Sequence, residues 1–329
     1  MLRWSTDQVD PKDRFDHWRE IRAKGLFGVT AELAADQRSK FFGEFALRRR
    51  GGAGLIELRA SPYKVERTLA DIANAPSDSL CIYQQLGGGS WFNVAGGDFA
   101  IHNESFATSY SDRPYSTLPI SDEGFHLRIV KIPMDNLPSL QAGIRDFIPQ
   151  SFNNQSPLLP LLASCFADLI EAGDDDSDAP ASTNLVQALA RFTLIGRGVI
   201  QPKSHTALEA VRVGRFSLAR RMINRDFARV QFSPAIMADA LGISVRHLHM
   251  LFEAADTSFL QVLTKRRIAE SCRLLLQNRE LPISQVAFAS GFDSSPTFYR
   301  AFHAAHAMSP GEFRAQGDTS GTPRADALR

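Results

Sequence analysis

The sequence predicts an α+β chain, in which a small β-barrel or sandwich is followed by helices and then by an all-α domain. Three observations support this prediction. Short β-type runs separated by glycines fill residues 41–133, a texture that is typical of small antiparallel barrels. Two apolar helical patterns follow at about 157–199. Beyond residue 202, a pattern of helix, glycine turn and helix occurs twice, and one amphipathic helix separates the copies.

Length and composition indicate an ordinary globular protein of more than one domain. The chain has 329 residues, of which 44% are hydrophobic and 22% are charged. It contains no apolar run of about 18 residues and begins without an apolar signal-peptide core, so we expect a cytoplasmic protein without a membrane partner. The three cysteines are far apart and match no metal spacing, which fits a reducing compartment.

We predict two domains and a short tail. Residues 1–201 should form the first domain, with the barrel at about 41–133 and helices at about 157–199. Residues 202–315 should form the second, and 316–329 have the composition of a disordered end. From Lys203 to Arg314 there are 15 lysines and arginines against 9 acidic residues, a net charge of +6, whereas the rest has 22 against 27, a net charge of −5. A basic C-terminal third suggests a polyanionic partner for that third alone.

The first helix-turn-helix unit is predicted at residues 233–253. Ser233 and Pro234 read as an N-cap and a first helical position, and the first helix stops at Gly242. Ser244 then caps a second helix. The apolar side chains of that helix that should point back to the core are Leu248, Leu251 and Phe252.

The second unit, predicted at 282–304, repeats this plan. Gly291 ends its first helix, Ser294 or Ser295 caps the next, and Phe298 and Phe302 face the core. Gly242 and Gly291 are 49 residues apart in matching contexts, an internal duplication that is harder to obtain by chance than either unit alone.

The segment Ser258–Asn278 between the units reads as one amphipathic helix that starts in a capping box of Ser258 and Gln261. At about 1.5 Å per residue it would be roughly 30 Å long, close to the ~34 Å repeat of B-DNA. The helix would therefore act as a spacer that sets two recognition helices one DNA turn apart.

These residues resemble the AraC/XylS family of transcriptional regulators. The second half of that family's C-terminal signature is matched by Ala287, Gly291, Phe292, Ser294, Phe298, Arg300, Phe302, Ser309, Pro310, Phe313 and Arg314. The first half is matched by Leu241, Gly242, Ser244, Arg246, Leu248, Phe252, Ser258, Phe259, Arg267, Leu274 and Leu275. The N-terminal region is more loosely similar to the family's sensor domain. The resemblance implies an effector-binding, cupin-like barrel with flanking dimerisation helices, followed by a two-headed DNA reader.

Candidate DNA contacts lie on the second helix of each unit. Arg246 and His249 should face outward, and an arginine can bind guanine O6 and N7 as a bidentate pair. Ser295 and Thr297 are short polar groups suited to base or phosphate contacts, and Arg300 is placed for a phosphate. The full predicted set is Ser244, Arg246, His247, His249, Met250, Ser294, Ser295, Thr297 and Arg300. Of the spacer arginines, Arg267 matches a family position that implies a structural ion pair rather than a DNA contact.

Three residues depart from the family pattern. Met250 stands where the family usually has arginine, so a base or phosphate contact there would be replaced or lost. Asp256 and Ala307 stand where glycine is usual after each recognition helix. If those turns need positive φ, aspartate tolerates it moderately and alanine poorly.

The barrel has candidate effector residues but no legible catalytic or metal site. Aromatic rings with one cation suit an aromatic or anionic molecule, and the candidates are Tyr83, Trp91, His102, Tyr115 and Arg128. Core packing or ordinary exposure remains the alternative for each of them, because the sequence does not show which strand face points inward. His102 has no neighbouring His-x-His partner, so we expect no metal and no cofactor.

The sequence thus predicts a ligand-responsive, sequence-specific DNA-binding regulator, an activator of a catabolic or metabolic operon. Each subunit would read two adjacent major-groove segments of double-stranded DNA, and a homodimer would bind direct repeats and act on RNA polymerase. The alternative is an effector-independent architectural DNA-binding protein. An enzyme would need a nucleophile with a base, or a metal set, and neither is legible.

Overall fold

The computed structural model describes residues 1–172 and 179–319. The chain divides into two compact units, Met1–Gly214 and a second unit that begins at Arg215. We predicted the division near residue 202, but it falls inside the helix His205–Asp226. A Cβ on Gly214 would lie 2.7 Å from the Phe192 ring and 2.8 Å from the Leu161 side chain. The first half of this helix therefore belongs to the packing of the first unit.

The first unit is built on two antiparallel sheets, and its α+β character is as predicted. Its strands are β1 (Leu2–Ser5), β2 (Thr30–Glu32), β3 (Gly43–Arg50), β4 (Ala53–Ala60), β5 (Lys64–Arg67), β6 (Ser79–Gly88), β7 (Ser90–Asn93), β8 (Phe99–Ile101), β9 (Phe106–Tyr110), β10 (Tyr115–Pro119), β11 (Phe125–Pro133) and β12 (Gln150–Ser151). One sheet has the order β1-β3-β4-β11-β6-β9-β12 and the other β2-β5-β10-β7-β8. Among the described residues no strand pair joins the two sheets, so the strands form two sheets rather than one closed ring.

An aromatic core lies between the sheets. Phe45 of β3 and Phe125 of β11 share a buried cluster with Val65 of β5, so both sheets contribute to it. Phe15 and Trp18, from a short helix α1 (Arg14–Trp18), are fully buried in the same cluster. Burial of several large rings contributes to the hydrophobic stabilisation of this unit.

A buried ion pair fixes the turn between β9 and β10. Arg67, only 2% exposed, donates from Nη2 to Asp112 Oδ1 at 2.8 Å. Backbone N–H groups of Ser77 and Asp78 donate to the same carboxylate at 3.0 and 2.8 Å. Burial raises the pKa of Asp112, but the hydrogen bonds from Asp78, Ser77 and Arg67 outweigh it and the net pKa is lowered. The carboxylate therefore stays ionised opposite its arginine.

Helices α2 (Leu69–Asn74), α3 (Gln141–Ile144), α4 (Leu159–Glu171) and α5 (Ala179–Gly196) complete the first unit, and α6 is His205–Asp226. The sequence left open whether the apolar faces of the helices at 157–199 pair with each other or with a second subunit. The structure pairs α4 with α5 inside one chain. Phe166 of α4 packs edge-on against Phe106 of β9 at 5.3 Å between ring centres. Leu162, Leu169, Leu189 and Phe192 are each 0% exposed. These apolar faces are thus covered within the chain.

The second unit consists of short helices around one long helix. Its helices after α6 are α7 (Pro234–Ala240), α8 (Val245–Glu253), α9 (Phe259–Gln277), α10 (Ile283–Ala289), α11 (Ser295–His306) and α12 (Pro310–Thr319). Of the predicted disordered tail 316–329, residues 316–319 instead continue α12, and the remainder lies outside the described residues. No helix in the described part of the chain combines the length and the apolarity needed to cross a bilayer.

Candidate nucleic-acid interface

Two helix-turn-helix units pack against the two halves of the long helix α9. The first core joins Phe259 and Leu263 of α9 to α7 and α8. The second joins Ile268 and Leu275 of α9 to α10 and α11. Helix α9 runs unbroken for 19 residues, about 28 Å at the usual rise per residue. The predicted spacer helix is therefore present, with one unit packed on each half.

The turns of the two units have the same hydrogen bonds 49 residues apart, as the sequence repeat predicts. Ile243 donates its N–H to Ala238 at 3.0 Å, and Phe292 donates to Ala287 at 3.1 Å. The glycine of each turn has positive φ, +62° at Gly242 and +87° at Gly291. L-residues with a Cβ avoid this region, so each glycine allows the sharp reversal between its helices.

Helix α8 presents its predicted contact residues to solvent. Arg246, His247, His249 and Met250 are exposed, whereas Leu248 and Phe252 are fully buried. Ser244 caps the helix by accepting from the His247 N–H at 3.2 Å. The first recognition helix thus offers a cation, two imidazoles and a thioether on its outer face.

The outer face of α11 differs from the predicted one. Ser294 caps the helix, and its hydroxyl lies 2.9 Å from the Thr297 hydroxyl. Ser295 and Thr297 are half-buried, so they do not dominate the face. Besides the small Ala304 and Ala305, the exposed side chains of α11 are Pro296, Tyr299, Arg300 and His303.

Tyr299 and His303 were missed by sequence reasoning. Tyr299 is 43% exposed, while Phe298 beside it and Phe302 are completely buried. Residues three, four and seven positions after Pro296 lie on the same side of a helix, which is the side opposite the buried Phe298 and Phe302. This spacing would have predicted that Tyr299, Arg300 and His303 share one exposed face. The recognition helix of the second unit, called the second head below as that of the first unit is the first head, therefore presents one cation, one phenol and one imidazole.

Arg266 and Arg267 are held within the unit. Arg267 Nε donates to the Phe227 carbonyl at 2.9 Å and Nη2 to the Arg229 carbonyl at 3.0 Å. We expected an ion pair at Arg267; its hydrogen-bond acceptors are instead main-chain oxygens just beyond the end of α6. Arg266 pairs with Glu270 at 3.3 Å and stacks on Phe227 at 3.9 Å. Both side chains therefore brace the unit.

Two of the three residues that depart from the family pattern, Asp256 and Ala307, occupy turns with positive φ. Asp256 has φ +51° and Ala307 has φ +55°. Both lie just after a recognition helix, where the sequence suggested that glycine is usual. Alanine in the left-handed region costs roughly 1–2 kcal/mol.

A small cavity lies between the two sheets of the first unit. Its volume is about 30 Å³, and Tyr83, Tyr115 and Thr117 line it. This is roughly the share of liquid volume of one water molecule. The buried Thr117 hydroxyl has no hydrogen-bond partner among the described residues. Burial raises the pKa of Tyr83 well above its usual value, so its hydroxyl stays protonated.

Three predicted effector residues point away from this cavity. Trp91 is 45% exposed, next to the buried Phe92, because successive side chains of a strand face opposite sides. Arg128 lies between Leu127 and Ile129 on β11, and because these two neighbours line the cavity, the Arg128 side chain points to the other face of the strand. There it forms an ion pair with Glu57 at 3.2 Å. His102 is exposed just after β8. Of the five candidates, only Tyr83 and Tyr115 line the cavity. Within the described residues, no three potential ligands among His, Cys, Asp and Glu cluster around a metal position.

Comparison with known proteins identifies transcription regulators. A family model described as a helix-turn-helix domain matches residues 237–316. The chain is 23% identical over 317 residues to the transcriptional activator NphR of a Rhodococcus species, covering 94% of this chain and 91% of that protein. It is 39% identical over 79 residues to the HTH-type transcriptional regulator GlxA of Rhizobium meliloti (strain 1021), covering 24% of each. The solved structure of the AraC-like transcriptional activator CuxR aligns at TM-score 0.47 and 18% identity, covering 88% of this chain and 100% of that one.

The matched region coincides with the duplicated units. The family model begins within α7 and ends within α12, so it spans both recognition helices and the spacer. The family's signature residues occupy caps, turn glycines and core positions there, and the relatives named above are transcription regulators rather than enzymes. Over residues 237–316 the chain therefore matches a helix-turn-helix domain, and along most of its length it is similar to a transcriptional activator.

Proposed function

We propose that this protein is a ligand-responsive activator of a catabolic or metabolic operon and reads two adjacent major-groove segments with each subunit. The observation that supports this most directly is the pair of helix-turn-helix units on the two halves of one unbroken helix. A spacer of about 28 Å suits recognition helices that enter successive major grooves, which are ~34 Å apart.

On the first head, Arg246 is the proposed base-reading residue. It is exposed and makes no hydrogen bond or ion pair with another described side chain. An arginine in this state can bind guanine O6 and N7 in the major groove. His249 and Met250 extend the same face, where a thioether can contact a thymine methyl but cannot replace a second arginine. Ser244 and His247 lie at the helix N-terminus, which suits a backbone phosphate.

On the second head, Arg300 is the proposed phosphate contact, with Tyr299 and His303 beside it. Ser294, Ser295 and Thr297 remain proposed as contacts of the helix N-terminus, where short hydroxyl side chains and backbone N–H groups can both reach phosphate oxygens. The two heads would then differ, with base reading concentrated on α8 and anchoring on α11.

The proposed effector is a small aromatic molecule that enters between the sheets. The aromatic lining and the unpartnered Thr117 hydroxyl support this assignment, since a ligand with one polar group would satisfy that buried oxygen. Because the cavity holds about one water, the ligand must part the sheets as it binds. Binding that alters this packing would shift the populations of two arrangements of the protein.

A homodimer, contact with RNA polymerase and a cytoplasmic location complete the proposal. Activation is proposed because NphR, and CfaD of Escherichia coli, are named transcriptional activators. The apolar faces of α4 and α5 are covered within one chain, so a dimer would use another surface. Two subunits would bind direct repeats.

Selection of DNA from a random pool by the full chain, followed by footprinting, tests the DNA part. We expect two protected major-groove segments about 10–10.5 base pairs apart on one face of the duplex. Protection of a single segment, or of no preferred sequence, would contradict the two-headed reading.

The effector part is tested by titrating aromatic amines, nitriles and amino acids into the full chain bound to that operator. A ligand should shift operator affinity, and Thr117→Val should weaken the response. Ser116→Ala, on the other face of β10, is the matched control. If neither the panel nor a metabolite extract changes operator affinity, the effector-independent architectural alternative replaces the sensor.

A further inference from the structure

A second pocket of the first unit lies outside the space between the sheets. It has a volume of about 400 Å³ and lies where the edge strand β12 approaches the N-terminus of α4 and the C-terminus of α5. This is within the size range of small-molecule sites. Amide and hydroxyl side chains, among them Gln150, Asn153 and Thr193, make up much of its wall, and the wall contains no aspartate or glutamate.

The single cation of this wall is Arg197, which has no acidic partner among the described residues. Its Nη2 donates to the carbonyls of Thr108 and Ile148 at 2.8 and 2.9 Å, and Nη1 donates to Gln150 Oε1 at 2.5 Å. The guanidinium also lies 4.8 Å from the centre of the Phe147 ring. These neutral groups orient the guanidinium without cancelling its charge.

Burial lowers the pKa of Arg197 to about 10, with no carboxylate acting in the other direction. The group is still charged at neutral pH. A partly desolvated cation without a counter-ion is energetically unfavourable, and a bound anion would relieve that cost. Nε and the second hydrogen of Nη1 make no hydrogen bond within the described residues, so two donors remain for such a ligand.

The N-terminus of α4 also lines the pocket, and its positive end offsets the negative end of α5 on the other side. Ser156, Pro157 and Leu158 line the pocket, and no side chain caps this 13-residue helix. The positive end of its dipole favours an anion nearby. Phe152, Leu158 and Ile195 supply apolar wall for the rest of an organic molecule.

We propose that this pocket is a binding site for a small anion, a carboxylate or a phosphate that is held by Arg197. The site is separate from the cavity lined by Tyr83 and Thr117, and its existence does not depend on the effector proposed above. The carboxylate of an organic acid and a phosphate group share the required chemistry, and direct titration distinguishes them.

Isothermal titration of the full chain with inorganic phosphate and, separately, with benzoate tests the proposal, and neutral benzamide is the ligand control. We expect saturable binding of at least one anion and no binding of benzamide. Binding of phosphate alone would identify a phosphate site, and binding of benzoate would identify an organic acid site. Failure of both anions to bind would overturn the proposal.

Two variants and one control locate the site. Arg197→Gln removes the cation, and Asn153→Asp places a carboxylate in the pocket wall while keeping the oxygen that accepts from the Gln155 N–H at 2.9 Å. Both should lower anion affinity at least tenfold. The control is Arg49→Gln, at an exposed position of β3, which should change anion affinity less than twofold. If Arg197→Gln fails to fold, Asn153→Asp decides the question, and wild-type affinity in that variant would overturn the assignment.

Discussion

At Arg246 an exposed guanidinium lies three residues from His249, on the face of α8 opposite Leu248 and Phe252. Replacement by alanine should weaken operator binding by roughly 1–3 kcal/mol and relax preference at one base pair. Fluorescence anisotropy on the selected operator and on its single-base variants measures both effects.

Arg273→Ala is the matched control for that experiment. Arg273 also belongs to the second unit, but it lies on α9 and pairs with Glu270 at 2.5 Å. Its loss should leave the base preference unchanged. If the two variants behave alike, the effect of Arg246 is one of general charge, and its assignment to a base is wrong.

Ala307 has φ +55° directly after α11. Ala307→Gly should stabilise the second unit by about 1 kcal/mol, because glycine enters the left-handed region without the cost that a Cβ incurs. Urea unfolding followed by far-ultraviolet circular dichroism is the suitable measurement, since Trp4, Trp18 and Trp91 all lie in the first unit.

The same substitution two residues earlier provides the comparison. Ala305 is an exposed residue inside α11, where glycine should cost about 1 kcal/mol. We expect the substitution to lower the free energy of unfolding at residue 305 and to raise it at residue 307. Destabilisation at both positions would mean that the left-handed turn at 307 carries no relievable strain.

At the scale of elements, α9 joins the two reading heads and also holds the end of α6. Arg267 reaches the carbonyls of Phe227 and Arg229 from the middle of α9. These acceptors lie just past the C-terminus of α6, where carbonyls lack helical partners and attract cations. The sequence indicated that Arg267 is structural, but it could not identify main-chain partners 38 and 40 residues away.

The turn between α10 and α11 packs against the same segment. A Cβ at Gly291 would lie 2.3 Å from the Phe227 oxygen and 2.9 Å from the Ala228 Cα. Gly291→Ala should therefore destabilise the second unit by roughly 3 kcal/mol, the sum of overpacking against backbone and the cost of positive φ. Urea titration monitored at 222 nm tests this.

Gly242 is the equivalent position in the first head, with no atom within 4 Å of a built Cβ. Gly242→Ala should cost only about 1–2 kcal/mol, from the backbone conformation alone. If Gly242→Ala and Gly291→Ala lower the free energy of unfolding equally, the close contact between the second turn and the segment after α6 would be contradicted.

At the scale of the whole molecule, a rigid spacer requires a fixed distance between the two DNA segments. Insertion of five base pairs between them rotates one segment by about half a turn, and affinity should fall more than tenfold as one head loses base contacts worth roughly 1–3 kcal/mol each. An operator with the same five base pairs placed outside the site is the control. Equal affinity for both would mean that only one head binds.

The second unit could be predicted from local sequence patterns alone. Serine caps, turn glycines and helical spacing are local rules, so two helix-turn-helix units and the long helix between them could be predicted without knowledge of the packing. Their duplication at 49 residues reappears as identical hydrogen bonds in the two turns.

The inward-facing side chains of the strands and the exposed groups of α11 depend on packing between distant segments, which the sequence did not reveal. A strand presents two faces, and the sequence does not say which one another sheet covers, so Trp91, His102 and Arg128 were assigned to a cavity that they do not line. The pocket around Arg197 was also out of reach, because its wall joins residues from 108 to 202 that approach one another only after the sheet and helices pack.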